Sequence, residues 1–181
     1  MSKVLVTYGS KYGATGEIAD AIGRTLRDHG LEVDVSPAHD VRSLDDYDAV
    51  VLGSAVYTAH WRGDALRFLK RRKKWLTDHD VWLFSSGPVG EDDEEADQGD
   101  AERWTKPGKV RELAAEIGAH DHVVFGGMVD EDRGFVRKKM AAGMPEEFRD
   151  RRDWDEIAAW ATQVAAQIPA DAQRPPGGSS T

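Results

Sequence analysis

Short apolar runs alternate along the chain with longer stretches in which apolar residues recur every three or four positions, from residue 3 to residue 168. A run that is apolar on both faces suits a strand buried between two layers, and the spaced stretches suit helices that cover such a sheet. The runs predict strands over residues 3–8, 32–37, 49–55, 81–86 and 122–128. Helices are expected over 13–29, 63–76, 107–118 and 134–142, with a last one starting near Arg152 and ending before Pro169. In the first helix Ile18, Ile22 and Leu26 share a face, and Gly30 supplies the stop. In the last, Trp154, Ile157, Ala161, Val164 and Ile168 form the stripe that should meet the sheet. Pro107 suits a first helical turn. This alternation predicts an α/β fold: a three-layer, doubly wound parallel sheet of five strands.

At 181 residues the chain suits one domain, taken as 1–168, and a tail over 169–181. That tail carries Pro175, Pro176, Gly177 and Gly178, has little to bury, and is expected to be disordered. The 33 acidic against 24 basic residues give a net charge of −9, which argues against nucleic-acid binding. There is no cysteine, so disulfides, thiolate nucleophiles, iron–sulfur ligation and zinc–thiolate sites are excluded. No metal site is expected, and redox work would need a borrowed cofactor. No apolar run approaches the roughly 18 residues of a membrane span, and no charged-then-apolar leader precedes the first strand. A cytoplasmic location is expected, with peripheral membrane contact still compatible.

Candidate chemistry begins where the first strand ends. Residues 6 to 22 pass from Val6 and Tyr8 through a turn with Gly9 and Gly13 into the first helix. Ser10 and Thr15 add hydroxyls beside a helix N-terminus, where unpaired N–H groups and the helix dipole favour an anion. The loop therefore reads as a phosphate cradle. It lacks the Lys-Ser/Thr ending of a Walker A loop and the three glycines of the dinucleotide fingerprint.

Tyr8, Ser10, Gly13, Thr15, Ala19 and Ile22 stand at the spacing of the flavodoxin fingerprint, which this segment resembles. It departs from that pattern at Thr7, and in reading Tyr-Gly-Ala-Thr where Thr-Gly-Asn-Thr is more usual, so the asparagine amide is missing. The resemblance implies strand order 2-1-3-4-5 and a bound FMN, its phosphate held by Ser10, Lys11, Tyr12, Gly13, Ala14 and Thr15.

Ligands of doubly wound sheets sit outside the carboxyl ends of the strands, so the loops after strands three and four should complete the site. The first offers Ser54, Ala55, Val56, Tyr57 and Trp61; the second offers Ser86, Gly87, Pro88, Val89 and Gly90. A flat isoalloxazine ring binds between aromatic or apolar faces, and either Tyr57 or Trp61 is placed to stack on it. The alternative, that Trp61 packs the start of the second helix, stays open. His60 reads as a solvated loop residue. Small residues in the fourth-strand loop would let backbone amides meet the flavin's pyrimidine edge. The ring nearest to that loop is Trp104.

Two charged runs stand apart from this pattern. Glu91 to Glu102 holds eight carboxylates and reads as a solvated loop, or else as a surface that lowers a flavin's potential and docks a cation. Arg67, Lys70, Arg71, Arg72, Lys73 and Lys74 put six cations in eight residues, more than a helix end needs. Such a run suits an acidic partner or an anionic lipid surface.

The segments Phe84 to Gly90 and Val124 to Met128, followed by Asp130 and Arg133, resemble the flavodoxin-domain group of menaquinone-dependent protoporphyrinogen IX dehydrogenases. That resemblance implies an FMN-dependent oxidoreductase of heme biosynthesis with a quinone or an organic substrate as redox partner. No catalytic triad or carboxylate dyad stands out, which fits chemistry carried by a cofactor. The segment Gly126 to Met144, with Arg133, Arg137, Lys138 and Lys139, is the choice for meeting propionate groups. The alternatives are a soluble electron carrier and a flavin-free binding module on the same fold.

Overall fold

Val4, Leu5 and Val6 form the centre of β1 (Lys3–Gly9), where each is at most 1 % exposed. The computed structural model describes residues 1–10, 13–57, 59–87, 106–128 and 150–169. In chain order β1 is followed by α1 (Ala14–Asp28), β2 (Glu32–Pro37), β3 (Ala49–Tyr57), β4 (His60–Trp61), α2 (Gly63–Arg71) and α3 (Lys73–Thr77). Then come β5 (Asp80–Gly87), α4 (Gly108–Ile117), β6 (Asp121–Gly126) and α5 (Trp154–Gln167).

The long strands are parallel and lie in the order β2-β1-β3-β5-β6, the expected 2-1-3-4-5 arrangement once the short β4 is set aside. Alternate side chains feed two cores, as the period of a strand requires. On one face Val4, Val6, Val51, Trp82, Phe84 and Phe125 pack with α1 and α5. On the other Leu5, Val50, Leu52 and Leu83 pack with α2, α3 and α4. This is the three-layer sandwich that the alternation predicts.

Local signals act where expected. Ile18, Ile22 and Leu26 are fully buried on α1. Gly30 takes a left-handed φ of 84°, and the bonds Gly30 N–H to Arg27 O (2.9 Å) and Leu31 N–H to Leu26 O (3.3 Å) close the helix in a Schellman turn. Asp153 caps α5 by accepting from the Asp155 and Glu156 N–H groups, each at 3.0 Å.

Four expectations need correction. The sheet has an added antiparallel strand, β4, paired to β3 through Val56–Trp61 and Tyr57–His60. The helix expected over 63–76 is broken at Arg72, whose φ/ψ of −98°/6° leaves the α region although no glycine or proline stands there. Trp154 is 43 % exposed, with the Arg152 guanidinium over its ring, and Trp160 faces the core instead. Pro107 is the N-cap of α4 rather than its first residue. The helix expected over 134–142 and residues 170–181 of the tail lie outside the described residues.

Candidate functional site

The carboxyl ends of β1, β3, β5 and β6 open on one cleft of about 20 Å³. Its walls are Ser10, Ala14 and Thr15 from the β1–α1 turn, Ala55, Val56 and Tyr57 from β3, Ser86 and Gly87 from β5, and Gly127 and Met128 after β6. The cleft thus lies where the strand order reverses between β1 and β3, the usual ligand position in such sheets.

The turn is shaped by its own polar atoms. The Gly13 N–H donates to Ser10 Oγ at 3.1 Å, and Gly13 adopts a left-handed φ of 93° as the N-cap of α1. No side chain caps this helix. Among the described residues its first intrahelical bond runs from the Glu17 N–H to Gly13 O at 3.0 Å, so the first-turn N–H groups of Ala14 and Thr15, which line the cleft, have no acceptor within the helix. An uncapped helix end beside hydroxyls is a site for an oxyanion. The β3 wall is apolar and aromatic, so the arrangement fits a ligand with a phosphate at one end and a flat ring at the other.

Not every expected residue reaches the cleft. Ser54 is fully buried: its Oγ donates to Ala55 O at 2.9 Å and accepts from the Arg62 N–H at 2.9 Å, which ties the β3–β4 hairpin to the start of α2. Trp61 is 5 % exposed in the core under α2 and does not line the cleft. Its Nε1–H donates to Ser85 Oγ at 2.9 Å, and Ser85 Oγ lies 2.9 Å from His122 Nε2. Pairing β4 against β3 turns the indole inward, so the packing alternative describes it. Burial lowers the pKa of His122 to about 4, helped by the charge of Lys106 and opposed by Asp121, so the ring is neutral at pH 7. Its Nδ1 is buried without a hydrogen-bond partner among the described residues. Lys11, Tyr12, Pro88, Val89 and Gly90, together with Trp104 and the cations at 133–139, lie outside the described residues.

Gly127 and Met128, from the segment expected to meet substrate, line the cleft, and Arg152, which the sequence did not single out, supports them. Residues 150–152 cross the end of β6, with Arg151 N–H bonded to Gly127 O at 3.0 Å and Met128 bridged to Asp150. The Arg152 side chain, 6 % exposed, holds Asp150 Oδ2 at 2.7 Å, reaches Met128 Sδ at 3.2 Å and pairs with Glu17 in the first turn of α1. One signal was available: a Gly126-Gly127 pair at the carboxyl end of a strand marks a place where backbone closely approaches something.

A doubly wound α/β protein with a cleft at its switch point is the class these features define. The profile of the family described as flavodoxin domain matches residues 5–148, and the chain belongs to that family. The protoporphyrinogen IX dehydrogenase (quinone) of Escherichia coli strain K12 is 28 % identical over 71 residues, 38 % of this chain and 39 % of that protein. The chain therefore matches only about two fifths of the length of these curated relatives. Among solved structures, oxidised flavodoxin 1 from Bacillus cereus superposes with a TM-score of 0.59 at 19 % identity, covering 93 % of this chain and 100 % of that one. The rubredoxin oxygen:oxidoreductase of Desulfovibrio gigas gives 0.60 at 14 % identity, covering 92 % of this chain and 36 % of the other. Identities this low establish the shared fold. Among the described residues, no helix is long and apolar enough to cross a membrane.

Proposed function

We propose that the cleft binds FMN and that the chain is an FMN-dependent oxidoreductase, oxidising a protoporphyrinogen-type substrate of heme biosynthesis with a quinone as acceptor. The observation that carries this reading is the uncapped first turn of α1 opening beside Ser10 and Thr15 onto an apolar, aromatic wall. The open N–H groups and the Thr15 hydroxyl would hold the phosphate. Tyr57, Ala55 and Val56 would flank the ring on one side and Met128 on the other, with Ser86 and Gly87 at its polar edge. Lys11, Tyr12, Pro88, Val89 and Gly90 complete the proposed binding set. Bound flavin supplies the two-electron chemistry, so the side chains need only bind, orient and exclude water.

The substrate class is supported by the likeness to the Escherichia coli protoporphyrinogen IX dehydrogenase. We take residues 1–168 as one working domain, acting in the cytoplasm and meeting its quinone at the membrane surface. The electron-carrier reading keeps the same cleft and drops the organic substrate.

Titrating the apo-protein with FMN tests the reading, with quenching of flavin fluorescence expected at a one-to-one end point. Thr15→Val should weaken FMN about tenfold and riboflavin hardly at all, because a hydrogen bond to a charged phosphate is worth about 1.5 to 3 kcal/mol. Reduction by protoporphyrinogen and reoxidation by menaquinone distinguish the enzyme from the carrier. A protein that fails to take up FMN would overturn both.

A further inference from the structure

The cationic run from Arg67 to Lys74 is only partly accounted for by the fold. Lys73 Nζ pairs with Glu116 at 2.8 Å, and Arg72 Nη2 donates to the Arg42 carbonyl. Arg67, Lys70, Arg71 and Lys74 have no acidic partner among the described residues, and all four are exposed. Like charges three or four residues apart on a helix repel, by a few tenths of a kcal/mol per pair. The run therefore costs the isolated protein stability.

Two concavities meet at Arg71 and Arg72, which line both. One, of about 150 Å³, has Arg67 and His39 on its wall and the buried Phe68 at its base. The other, of about 360 Å³, adds Lys74 and Trp75. Together they form a groove along α2 and α3 against the β2–β3 connection. Its upper end is next to the cleft: a Cβ added at Gly9, the residue before Ser10, would lie 2.7 Å from Asp64 Oδ1, and Asp64 also lines the groove.

We propose that this groove docks an acidic segment of a partner protein, whose carboxylates are taken by the guanidinium forks of Arg67 and Arg71. Arginine suits this task because its planar fork pairs with a carboxylate through two parallel hydrogen bonds. The surface is poorly suited to lipid. It is concave, and the exposed large apolar residues among those described are Met1 and Trp154, neither of which lines it. Trp75 is stacked on His79 with ring centroids 3.5 Å apart, so it is not free to insert. A partner seated here stands beside the cleft mouth, the position a redox partner needs. The groove itself does not depend on which cofactor the cleft takes.

The test is fluorescence polarisation of a labelled oligoglutamate peptide with the full chain at low ionic strength. Saturable binding is expected, weakened about tenfold or more in Arg67→Glu/Arg71→Glu and lost as salt shortens the screening length. Arg24→Glu, an exposed cation on α1 in the opposite layer, should bind as the wild type does. Thermal melts establish that the variants are folded. Three results overturn the proposal: no binding, equal binding by Arg67→Glu/Arg71→Glu, or equal loss in Arg24→Glu. Cosedimentation with phosphatidylserine vesicles that is lost in Arg67→Glu/Arg71→Glu, without peptide binding, overturns it in favour of a lipid surface.

Discussion

The guanidinium of Arg152 donates to the carboxylate of Glu17, 135 positions earlier in the chain, and so joins the crossing segment at the end of β6 to the first turn of α1. The same group holds Asp150 through Nε at 2.8 Å and Nη2 at 2.7 Å. Its side chain is almost fully buried, so Arg152→Met should cost about 2 kcal/mol, or about 4 to 8 °C in Tm. The hydrogen bonds from Arg152 hold the Asp150 carboxyl below the usual carboxylate range. A depressed carboxylate adds stability that is present above its unfolded pKa and is lost as pH falls through its folded one. Chemical unfolding at a series of acidic pH values should show that loss in the wild type and a flatter curve in Arg152→Met.

His122 acts in the same direction for a different reason. Its ordinary pKa of 6.5 falls to about 4 in the folded protein because the ring is desolvated beside Trp61 and Ser85. The unfolded chain therefore takes up this proton first. Stability is fully present above pH 6.5, declines as the pH drops towards 4, and the decline ends once the folded state is protonated too. The window is worth roughly 3 kcal/mol. His122→Phe should remove that slope while keeping the ring contact with Trp61. Urea unfolding across the window measures it, and an unchanged slope would assign the titration to another group.

Strand and helix positions could be read from the sequence because they depend on local pattern. Val4 to Val6 and Val50 to Leu52 are apolar on both faces, and only a sheet covered twice buries such runs. The β1–α1 turn was readable for the same reason: Ser10, Gly13 and Thr15 lie within one short stretch of chain. What escaped depends on contacts remote in sequence or on very short elements. β4 has two residues and hence no period, and its turn places Ala59 at a φ of 56°, which alanine rarely signals. With β4 unseen, Trp61 kept the choice between ring stacking and packing, which the hairpin decides. Trp154 and Trp160 both fall near the apolar stripe of α5. Trp160 packs into the core and donates its N–H to Asp121 Oδ2 at 2.8 Å, a contact remote in sequence.

Gly126 sits under the crossing segment, and a Cβ built there would lie 1.9 Å from the Arg151 carbonyl oxygen and 2.6 Å from its carbon. Both are backbone atoms and cannot rotate away. Gly126→Ala must therefore lift residues 150–152 from Gly127 and carry the Met128 wall with them. Overpacking of this kind costs about 1 to 3 kcal/mol, and FMN affinity should drop alongside stability. Gly87→Ala is the matched control on the neighbouring strand. Its Cβ would meet Val56 Cβ at 3.6 Å, an ordinary contact, so its Tm should stay near that of the wild type. Paired thermal melts compare the stability of the two variants, and an FMN titration of Gly126→Ala reads the effect on the cleft.

Tyr57 and Trp61 flank one hairpin but face different surroundings, and this divides their roles. Tyr57 lines the cleft, whereas Trp61 lies in the core with its N–H on Ser85. If the cleft takes FMN, Tyr57→Ala removes a ring face and should weaken binding about tenfold, in line with the 0.5 to 1.5 kcal/mol typical of aromatic pairs plus lost area. Its effect on stability should be small, since the residue is only partly buried. Trp61→Phe should do the reverse. It deletes one buried hydrogen bond and leaves Ser85 short of a donor, at a cost of about 1 to 3 kcal/mol, while FMN affinity and the bound flavin's absorption stay as in the wild type. Loss of FMN binding in Trp61→Phe with unchanged Tm would return Trp61 to the cleft and refute the hairpin's inward placement of its ring.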